Sequence, residues 1–255
     1  MTFEMWSLGH YAFMVSPFIL TAIFYLLSRK KTYEQKRKFG VILSIIMVII
    51  LILRNVEIWV NGDFVFNYEL IPLQICHFAN FVLLYAFIKD SKAMFALALL
   101  FNLPAAFMSI LFANSLTHYS NIWTLRGIAY IFGHMLIVST TIWAFLERFV
   151  VLNKQTFKNT AFIVYALYII SVLVNNLIGS ITGSYPNYFY ALRPEEGTPL
   201  QTFYDIGTNF EIGKFMINPI YLILTALLGT VIVSIMYFIF KVLEPKKQMV
   251  LELNQ

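Results

Sequence analysis

The chain of 255 residues is too apolar for a soluble protein, since 60% of its residues are hydrophobic and only 12% are charged. Its formal net charge is +5, yet we expect no nucleic acid partner, because the basic residues gather between the apolar stretches. The single cysteine excludes an internal disulfide, and no cysteine or histidine spacing predicts a metal site. The composition therefore predicts an integral membrane protein that uses neither a metal nor a cofactor.

Seven apolar stretches are long enough to cross a bilayer as helices, for which about 20 residues are needed. They predict an all-α, polytopic membrane helix bundle with seven transmembrane helices, forming a single domain. No cleaved signal peptide is expected, because no basic segment precedes the first stretch. The predicted spans are residues 8–28, 39–60, 69–88, 93–113, 126–147, 159–180 and 214–240.

Basic residues lie on alternate sides of these stretches. The positive-inside rule places the side with more lysine and arginine in the cytoplasm, which predicts an N-terminus outside and a C-terminus in the cytoplasm. Residues 181–213 form the longest connection on the outer side, and we expect them to cap the bundle or gate an opening. The basic residues of the predicted inner side are Arg29, Lys30, Lys31, Lys36, Arg37, Lys38, Lys89, Lys92, Arg148, Lys154, Lys158, Lys241, Lys246 and Lys247.

Polar residues inside the apolar stretches fall in the outer half of the predicted bundle. Counting 1.5 Å per residue from the outer boundary places Cys76 about 10 Å deep and His134 about 12 Å deep, so the two side chains can meet. Arg54 and Glu57 share one face of the second helix because they are three residues apart. Asn175 lies near the outer end of the sixth. Polar groups are unfavourable in lipid, so this cluster is a candidate functional site.

Each of these residues also has a purely structural interpretation. A single cysteine in a membrane helix often only fills space, and His77 and His134 are able to serve as hydrogen-bonded contacts between helices. Arg54 and Glu57 are able to neutralise each other. The common depth of these groups favours a shared function for the set more than for any single member.

Three short segments carry a resemblance to a known family. They are IPLQICHF at residues 71–78, IFGHML at residues 131–136 and VNNLIGSITGSYPNYFYALRPEEG at residues 174–197. These segments resemble the YwaF-like family of bacterial integral membrane proteins and its eukaryotic relatives, the transmembrane protein 164 group, which looks like a family of phospholipid acyltransferases. The resemblance extends over roughly residues 40–240 and implies a multi-pass protein of a bacterial plasma membrane.

The resemblance also implies roles for single residues. Cys76 would be the nucleophile that accepts the acyl chain, and His134 would be the general base. Two departures from the family pattern concern the fit of the substrate: Gln74 stands where many relatives carry histidine, and NSLTHYS at residues 114–120 replaces a Thr-Pro-Asp-like corner. The residues predicted to bind substrate, from the resemblance and from their depth, are Gln74, His77, Arg54, Glu57, Arg126, Asn175, Tyr188 and Arg193.

The leading hypothesis is an acyltransferase or transacylase with membrane phospholipids as substrates. Cys76, deprotonated by His134, attacks the ester of a donor phospholipid, and an acceptor lysolipid or another alcohol or amine then takes the acyl chain from the thioester. Three alternatives remain open at this point: a non-enzymatic carrier or binding protein for a lipid or small molecule, a lipid hydrolase using the same two residues, and a structural partner protein. The sequence leaves the oligomeric state undefined.

Overall fold

The computed structural model describes residues 3–65, 67–113, 116, 121–194 and 198–244. Lys246, Lys247 and all of the segment 114–120 except Leu116 therefore lie outside the described residues. The regular elements are α1 (Leu8–Ser28), α2 (Tyr33–Asn61), a 3-10 turn (Tyr68–Leu70), α3 (Ile75–Lys89), α4 (Lys92–Leu97), a π turn (Ala98–Asn102), α5 (Leu103–Leu111), α6 (Leu125–Leu146), α7 (Lys154–Thr182), a second 3-10 turn (Tyr188–Tyr190), α8 (Leu200–Ile206), β1 (Phe210–Ile212), β2 (Phe215–Ile217) and α9 (Pro219–Leu243).

The prediction of an all-α bundle with seven membrane-spanning helices is confirmed within the described residues. Helices α1, α2, α6, α7 and α9 each form one span, and α3 forms another together with the 3-10 turn before it. Helices α4 and α5 form the remaining span, joined by the π turn. The orientation of the termini stays a prediction. We call the end of the bundle that carries Trp59, Trp123 and Pro219 the outer end, and the opposite end the inner end.

The fourth span owes its π turn to Pro104, the second residue of α5. Proline has no backbone N–H and its ring collides with the carbonyl one turn earlier, so a regular α-helix cannot continue through it. The wider π turn over Ala98–Asn102 accommodates this break. Leu99 and Leu100 of the turn are fully buried, so the irregular backbone lies inside the protein and away from lipid, as membrane proteins require.

Two helices begin later than the sequence predicted. Pro72 restricts Ile71 to an extended conformation (φ −75°, ψ 124°), so α3 begins at Ile75 and not near residue 69. Residues 214–217 were assigned to the last span, but Phe215–Ile217 pair with Phe210–Ile212 in an antiparallel hairpin. The last span, α9, therefore begins only at Pro219, where proline fits the first helical position and the Asn218 side chain accepts from the N–H of Tyr221.

The long connection between α7 and α9 is folded against the outer end of the bundle. Two adjacent asparagines of α7 hold it in place. Asn175 exchanges two hydrogen bonds of 3.0 Å with the backbone of Tyr188, and Asn176 exchanges bonds of 3.0 and 2.7 Å with the backbone of Met216. The Tyr188 hydroxyl donates to the carbonyl of Tyr68 at 2.5 Å. The connection is thus attached to the bundle at several points.

A cysteine and histidine site near the outer end of the bundle

Cys76 is the second residue of α3. It therefore lies in the first helical turn, whose backbone N–H groups have no acceptor within the helix and which carries the positive end of the helix dipole. Gln74 occupies the N-cap position but makes no side-chain capping hydrogen bond. The late start of α3 thus puts the thiol closer to the positive end of the helix than a helix beginning at residue 69 would.

His134 lies in α6 and faces Cys76. The thiol and the imidazole are near enough to interact electrostatically. The second ring nitrogen is already engaged, because Nδ1 lies 2.6 Å from the carbonyl oxygen of Tyr130. A carbonyl only accepts, so Nδ1 carries the proton and Nε2 keeps a lone pair. The Tyr130 ring also packs against the imidazole, with centroids 4.4 Å apart. The backbone and ring of Tyr130 therefore fix both the tautomer and the orientation of His134.

Ser109, near the end of α5, also contacts the thiol. Its hydroxyl lies 3.9 Å from the sulfur of Cys76 and donates to the carbonyl of Ala105 at 3.1 Å. The Tyr130 hydroxyl in turn donates to the carbonyl of Ser109 at 2.8 Å. These contacts join α3, α5 and α6 around the sulfur. The sequence analysis missed both Ser109 and Tyr130, because nothing in their local sequence indicates that these helices are neighbours.

Cys76 and His134 line a cavity of about 80 Å³ between α2, α3 and α6. The polarity of its lining changes along the bundle axis. Met47 and Arg54 of α2 both line it and, being seven residues apart, differ in depth by about 10 Å. The two arginines of the lining, Arg54 and Arg126, lie at the outer end. Asn80 lies deeper, level with Met47, because α2 and α3 run antiparallel and Gly40, seven residues before Met47, packs against Phe87, seven residues after Asn80. The other side chains toward the inner end are apolar, namely Met47, Ile50, Leu51 and Ile137. The cavity is therefore amphipathic.

A network of charged residues lies at the polar end of the cavity. Glu69 binds two arginines, with its carboxylate 2.9 Å from the guanidinium of Arg54 and 2.7 Å from that of Arg126. Arg54 also donates to the backbone carbonyl of Glu69 at 2.9 Å. Glu57 accepts at 2.5 Å from the backbone N–H of Arg126, near the start of α6. The sequence analysis considered Arg54 and Glu57 as a pair, and the structure adds Glu69 as an ion-pair partner of Arg54.

His77 and Asn80, which line the cavity, each have a buried polar atom with no hydrogen-bond partner within the described part of the chain. These atoms are Nδ1 of His77 and Oδ1 of Asn80. Asn80 is 4% exposed and follows Cys76 by one helical turn, so it lies on the same face of α3. Such atoms are unfavourable when buried unless something else satisfies them. A ligand or water in the cavity would do so. The i, i+4 spacing from Cys76 is the sequence signal that would have identified Asn80.

The other predicted site residues lie outside the lining of this cavity. Gln74 is next to it in sequence as the N-cap of α3. Asn175 and Tyr188 bind one another and hold the outer connection, and Arg193 donates to the carbonyl of Tyr185 at 3.1 Å in the same connection. Burial, reinforced by Tyr68 and Glu69, raises the pKa of Tyr188 to about 12, so its hydroxyl remains a donor at neutral pH. The structure thus brings together Cys76, His134, His77, Arg54 and Arg126.

The fold and the site together define a multi-pass integral membrane protein with a cysteine and a histidine facing each other in an amphipathic cavity. The family can also be stated. The model of the TMEM164 family matches residues 4–237, which is most of the chain, and the protein belongs to that family. The resemblance found in the sequence is thereby confirmed. No curated protein and no solved structure matches the chain in the corresponding comparisons.

Proposed function

We propose that the protein is an acyltransferase that moves a fatty-acyl chain from a membrane phospholipid to a lipid acceptor by way of Cys76, in a bacterial plasma membrane. The observation that carries the proposal is the pairing of the Cys76 thiol with the oriented imidazole of His134 inside an amphipathic cavity. A phospholipid is itself polar at one end and apolar at the other. The polar and apolar ends of the cavity match those two parts.

The first half of the reaction forms a thioester. Nε2 of His134 takes the proton of the Cys76 thiol, and the thiolate attacks the carbonyl carbon of the donor ester. A carbon–sulfur bond forms, the ester carbon–oxygen bond breaks, and the departing lysolipid oxygen takes the proton from the imidazolium. The carbonyl of Tyr130, which accepts from Nδ1, holds the ring in position throughout. It plays the part of the third, orienting group of a catalytic triad.

The negative charge that develops on the carbonyl oxygen needs hydrogen-bond donors. The backbone N–H groups of the first turn of α3 supply them, since they lie beside the thiol and Gln74 leaves them without a side-chain cap. The positive end of the helix dipole stabilises the same charge. In this mechanism the start of α3 provides both the nucleophile and the oxyanion site.

Of the two arginines at the polar end of the cavity, Arg126 is better placed to bind the phosphate of the donor. Its side chain is 42% exposed, whereas that of Arg54 is 11% exposed. A guanidinium has a planar set of five donors that suits a phosphate group. Arg54, with hydrogen bonds to the carboxylate and carbonyl of Glu69, then serves to position Glu69.

The second half of the reaction returns the enzyme to its starting state. The acceptor hydroxyl gives its proton to Nε2 of His134 and attacks the thioester carbon. The carbon–sulfur bond breaks, and the thiolate recovers the proton from the imidazolium. Water in place of the lipid acceptor would make the same site a hydrolase.

The experiment that tests the proposal is intact mass measurement of the purified protein after incubation with phosphatidylcholine. We expect a fatty-acyl adduct on the wild type that neutral hydroxylamine removes and that Cys76→Ala lacks. Gly133 offers a second variant, because it lines the cavity and an added Cβ there meets no atom within 4 Å. Gly133→Leu should fill the cavity and abolish the adduct, whereas Gly133→Ala should keep it.

Adding an acceptor then separates the candidate functions. Loss of the adduct only when a lysophospholipid is added, with one new phospholipid formed per adduct lost, indicates a transferase. Loss in detergent alone, with release of free fatty acid, indicates a hydrolase. An adduct that never forms on folded wild-type protein, across donors with different headgroups, would contradict the proposal and favour the carrier.

A further inference from the structure

A second cavity, of about 150 Å³, lies between α7 and α9. Its walls are almost entirely apolar. Along α7 it extends from Phe157 to Tyr168, eleven residues or about 16 Å, so it is elongated along the bundle axis. The principal apolar side chains of its lining are Phe101, Phe157, Val164, Phe189, Leu228 and Val233.

The first turn of α3 separates this cavity from the one at Cys76. Ile75 lines the α7–α9 cavity, and its neighbour Cys76 lines the other. Phe189 strengthens the division, because its ring lies 6.4 Å from that of Phe78 and stacks on that of Phe101 at 6.0 Å. Phe189 adopts a left-handed conformation (φ 57°) to reach this place. The two cavities are therefore separate sites.

Several side chains of the lining carry hydroxyl groups, and those of Tyr165 and Thr230 hydrogen-bond each other. Tyr168 of α7 and Thr225 of α9 both line the cavity, and their buried hydroxyl oxygens lack a hydrogen bond of normal geometry to any described residue. The two groups are near enough for a weak mutual contact. A hydroxyl in an apolar environment without a full hydrogen bond is unfavourable. A ligand with an acceptor oxygen at this level would satisfy both.

Helix α9 is largely exposed to the hydrocarbon of the membrane, so lipid is the molecule nearest to the cavity. Only Tyr221 and Val233 are buried among the residues of this helix, while Ile223 and Leu227 are 60% and 54% exposed. Both helices that form the cavity are membrane spans, so hydrocarbon surrounds them. Thr225 lies six residues, or about 9 Å, below the start of α9, a depth at which a lipid ester just below the headgroups can lie.

We propose that the α7–α9 cavity binds one acyl chain of a diacyl phospholipid, whose ester carbonyl accepts hydrogen bonds from the hydroxyls of Tyr168 and Thr225. The chain lies along the cavity toward Phe157 and Val233, and the headgroup lies at the outer end. This lipid is bound without reaction, since the first turn of α3 separates it from the thiol. The site does not depend on the chemistry proposed for Cys76.

The test uses the full-length protein in nanodiscs of phosphatidylcholine that contain a small fraction of a phosphatidylcholine with a diazirine in one acyl chain. Irradiation followed by peptide mass mapping locates the labelled residues. We expect labelling at the cavity lining to exceed labelling of Phe162, a 74% exposed residue of α7 that reports ordinary contact with lipid. Cys76→Ala should give the same pattern, so the result is independent of the proposed reaction.

Gly229 supplies the matched variants. It lines the cavity, and an added Cβ there meets no atom within 4 Å, so Gly229→Ala should preserve both fold and labelling. Gly229→Leu should fill the cavity and reduce labelling of its lining to the level of Phe162. The double variant Tyr168→Phe, Thr225→Val should weaken lipid binding by about 5- to 100-fold, as expected for losing two hydrogen bonds.

Two results would overturn the proposal. Equal labelling of the cavity and of Phe162, unchanged in Gly229→Leu, would mean that only the surrounding bilayer is in contact with these helices. Cross-links between two protein chains through α7 and α9, in place of lipid labels, would mean that a second copy covers the cavity. Size-exclusion chromatography of each variant excludes misfolding as the cause of lost labelling.

Discussion

The two ends of helix α3 differ in how fully their polar groups are satisfied. At its start, Gln74 makes no side-chain cap, and buried Nδ1 of His77 has no partner within the described residues. At its other end, Asp90 stops the helix in a left-handed conformation (φ 49°) and donates its N–H to the carbonyl of Ala86. The carboxylate of Asp90 accepts from Tyr33 and Lys92 at 2.5 and 2.8 Å.

Packing differs between the two ends in the same way. Phe87, near the end of α3, is fully buried among the rings of Phe95, Trp143 and Phe149, with centroids 4.8 to 5.8 Å away. Cys76, near the start, borders a cavity. Protein interiors are normally close-packed with their polar groups paired. The comparison indicates that one end of α3 serves stability, and that the other departs from optimal packing where a ligand would bind.

The largest expected effect is at the start of α3. His134→Gln keeps hydrogen-bonding capacity but cannot accept the thiol proton, so we expect the rate of acyl-adduct formation to fall about 10²-fold or more. The melting temperature should change little. Time-resolved intact mass measurement gives the rate. A rate within about threefold of the wild type, far below the usual effect of losing a general base, would exclude His134 from that role.

Phe87→Ala should lower the stability of the protein and leave its reaction rate unchanged. Removing a fully buried phenyl ring is expected to lower the free energy of unfolding by about 3 to 4 kcal/mol, while adduct formation per folded molecule stays the same. Denaturant titration in detergent measures the first and intact mass the second. Phe162→Ala, at a 74% exposed site, is the control, with an expected change within about 0.5 kcal/mol. Equal losses in both variants would remove the contrast between the two ends of α3.

Glu69→Gln tests the charged network at the polar end of the cavity. We expect a loss of about 2 kcal/mol in the free energy of unfolding, because Arg54, only 11% exposed, would lose its carboxylate partner. Glu34→Gln is the matched control, since Glu34 forms an exposed i, i+3 pair with Arg37 and should change stability by about 0.3 kcal/mol. If both variants behave alike in denaturant titration, the network contributes no more than a surface ion pair.

The smallest effect is expected at Asp90. Burial alone would raise its pKa, but hydrogen bonds from Lys92 and Tyr33 outweigh burial and hold the pKa below the ordinary value of 3.8. A carboxyl with a lowered pKa in the folded state stabilises the fold above its ordinary pKa, and this stabilisation is lost as the pH falls through the folded-state pKa. Asp90→Asn, which tolerates the left-handed backbone, should be less stable by about 0.5 kcal/mol at pH 7.

The difference between the wild type and Asp90→Asn should then shrink toward zero as the pH is lowered below the folded-state pKa. Melting curves of both proteins from neutral pH to about pH 2, where a carboxyl is mostly protonated, provide the measurement. A difference that is constant over this range would show that the carboxylate charge contributes nothing to stability.

Much of the fold could be predicted because each membrane-spanning helix is recognisable from the apolar composition of its own segment. Depth could be predicted too, since helical rise converts a position in the sequence into a distance from the membrane boundary, and this count brought Cys76 and His134 to one level. The contacts between helices could not be predicted, because no local sequence pattern shows which helices are neighbours in the bundle. The contacts of Ser109 with Cys76 and of Glu69 with Arg126 were missed for that reason.

Helix starts and connections were predicted less well for a different reason. Apolar composition continues through residues 69–74 and 214–217, although Pro72 prevents an early helix and Phe215–Ile217 form a strand. Hydropathy does not record backbone conformation. The starts of α3 and α9 could have been found from Pro72 and from the Asn218–Pro219 pair, which are signals for the beginning of a helix.

The weak burial of α9 has a consequence for biogenesis. Only 6% of the most apolar part of this helix is buried inside the protein, compared with 56% for α6. A helix that satisfies its own backbone hydrogen bonds and exposes apolar side chains is stable in lipid without partners. Insertion of α9 during synthesis therefore requires little help from the rest of the bundle, and its later docking against α7 encloses the cavity between them.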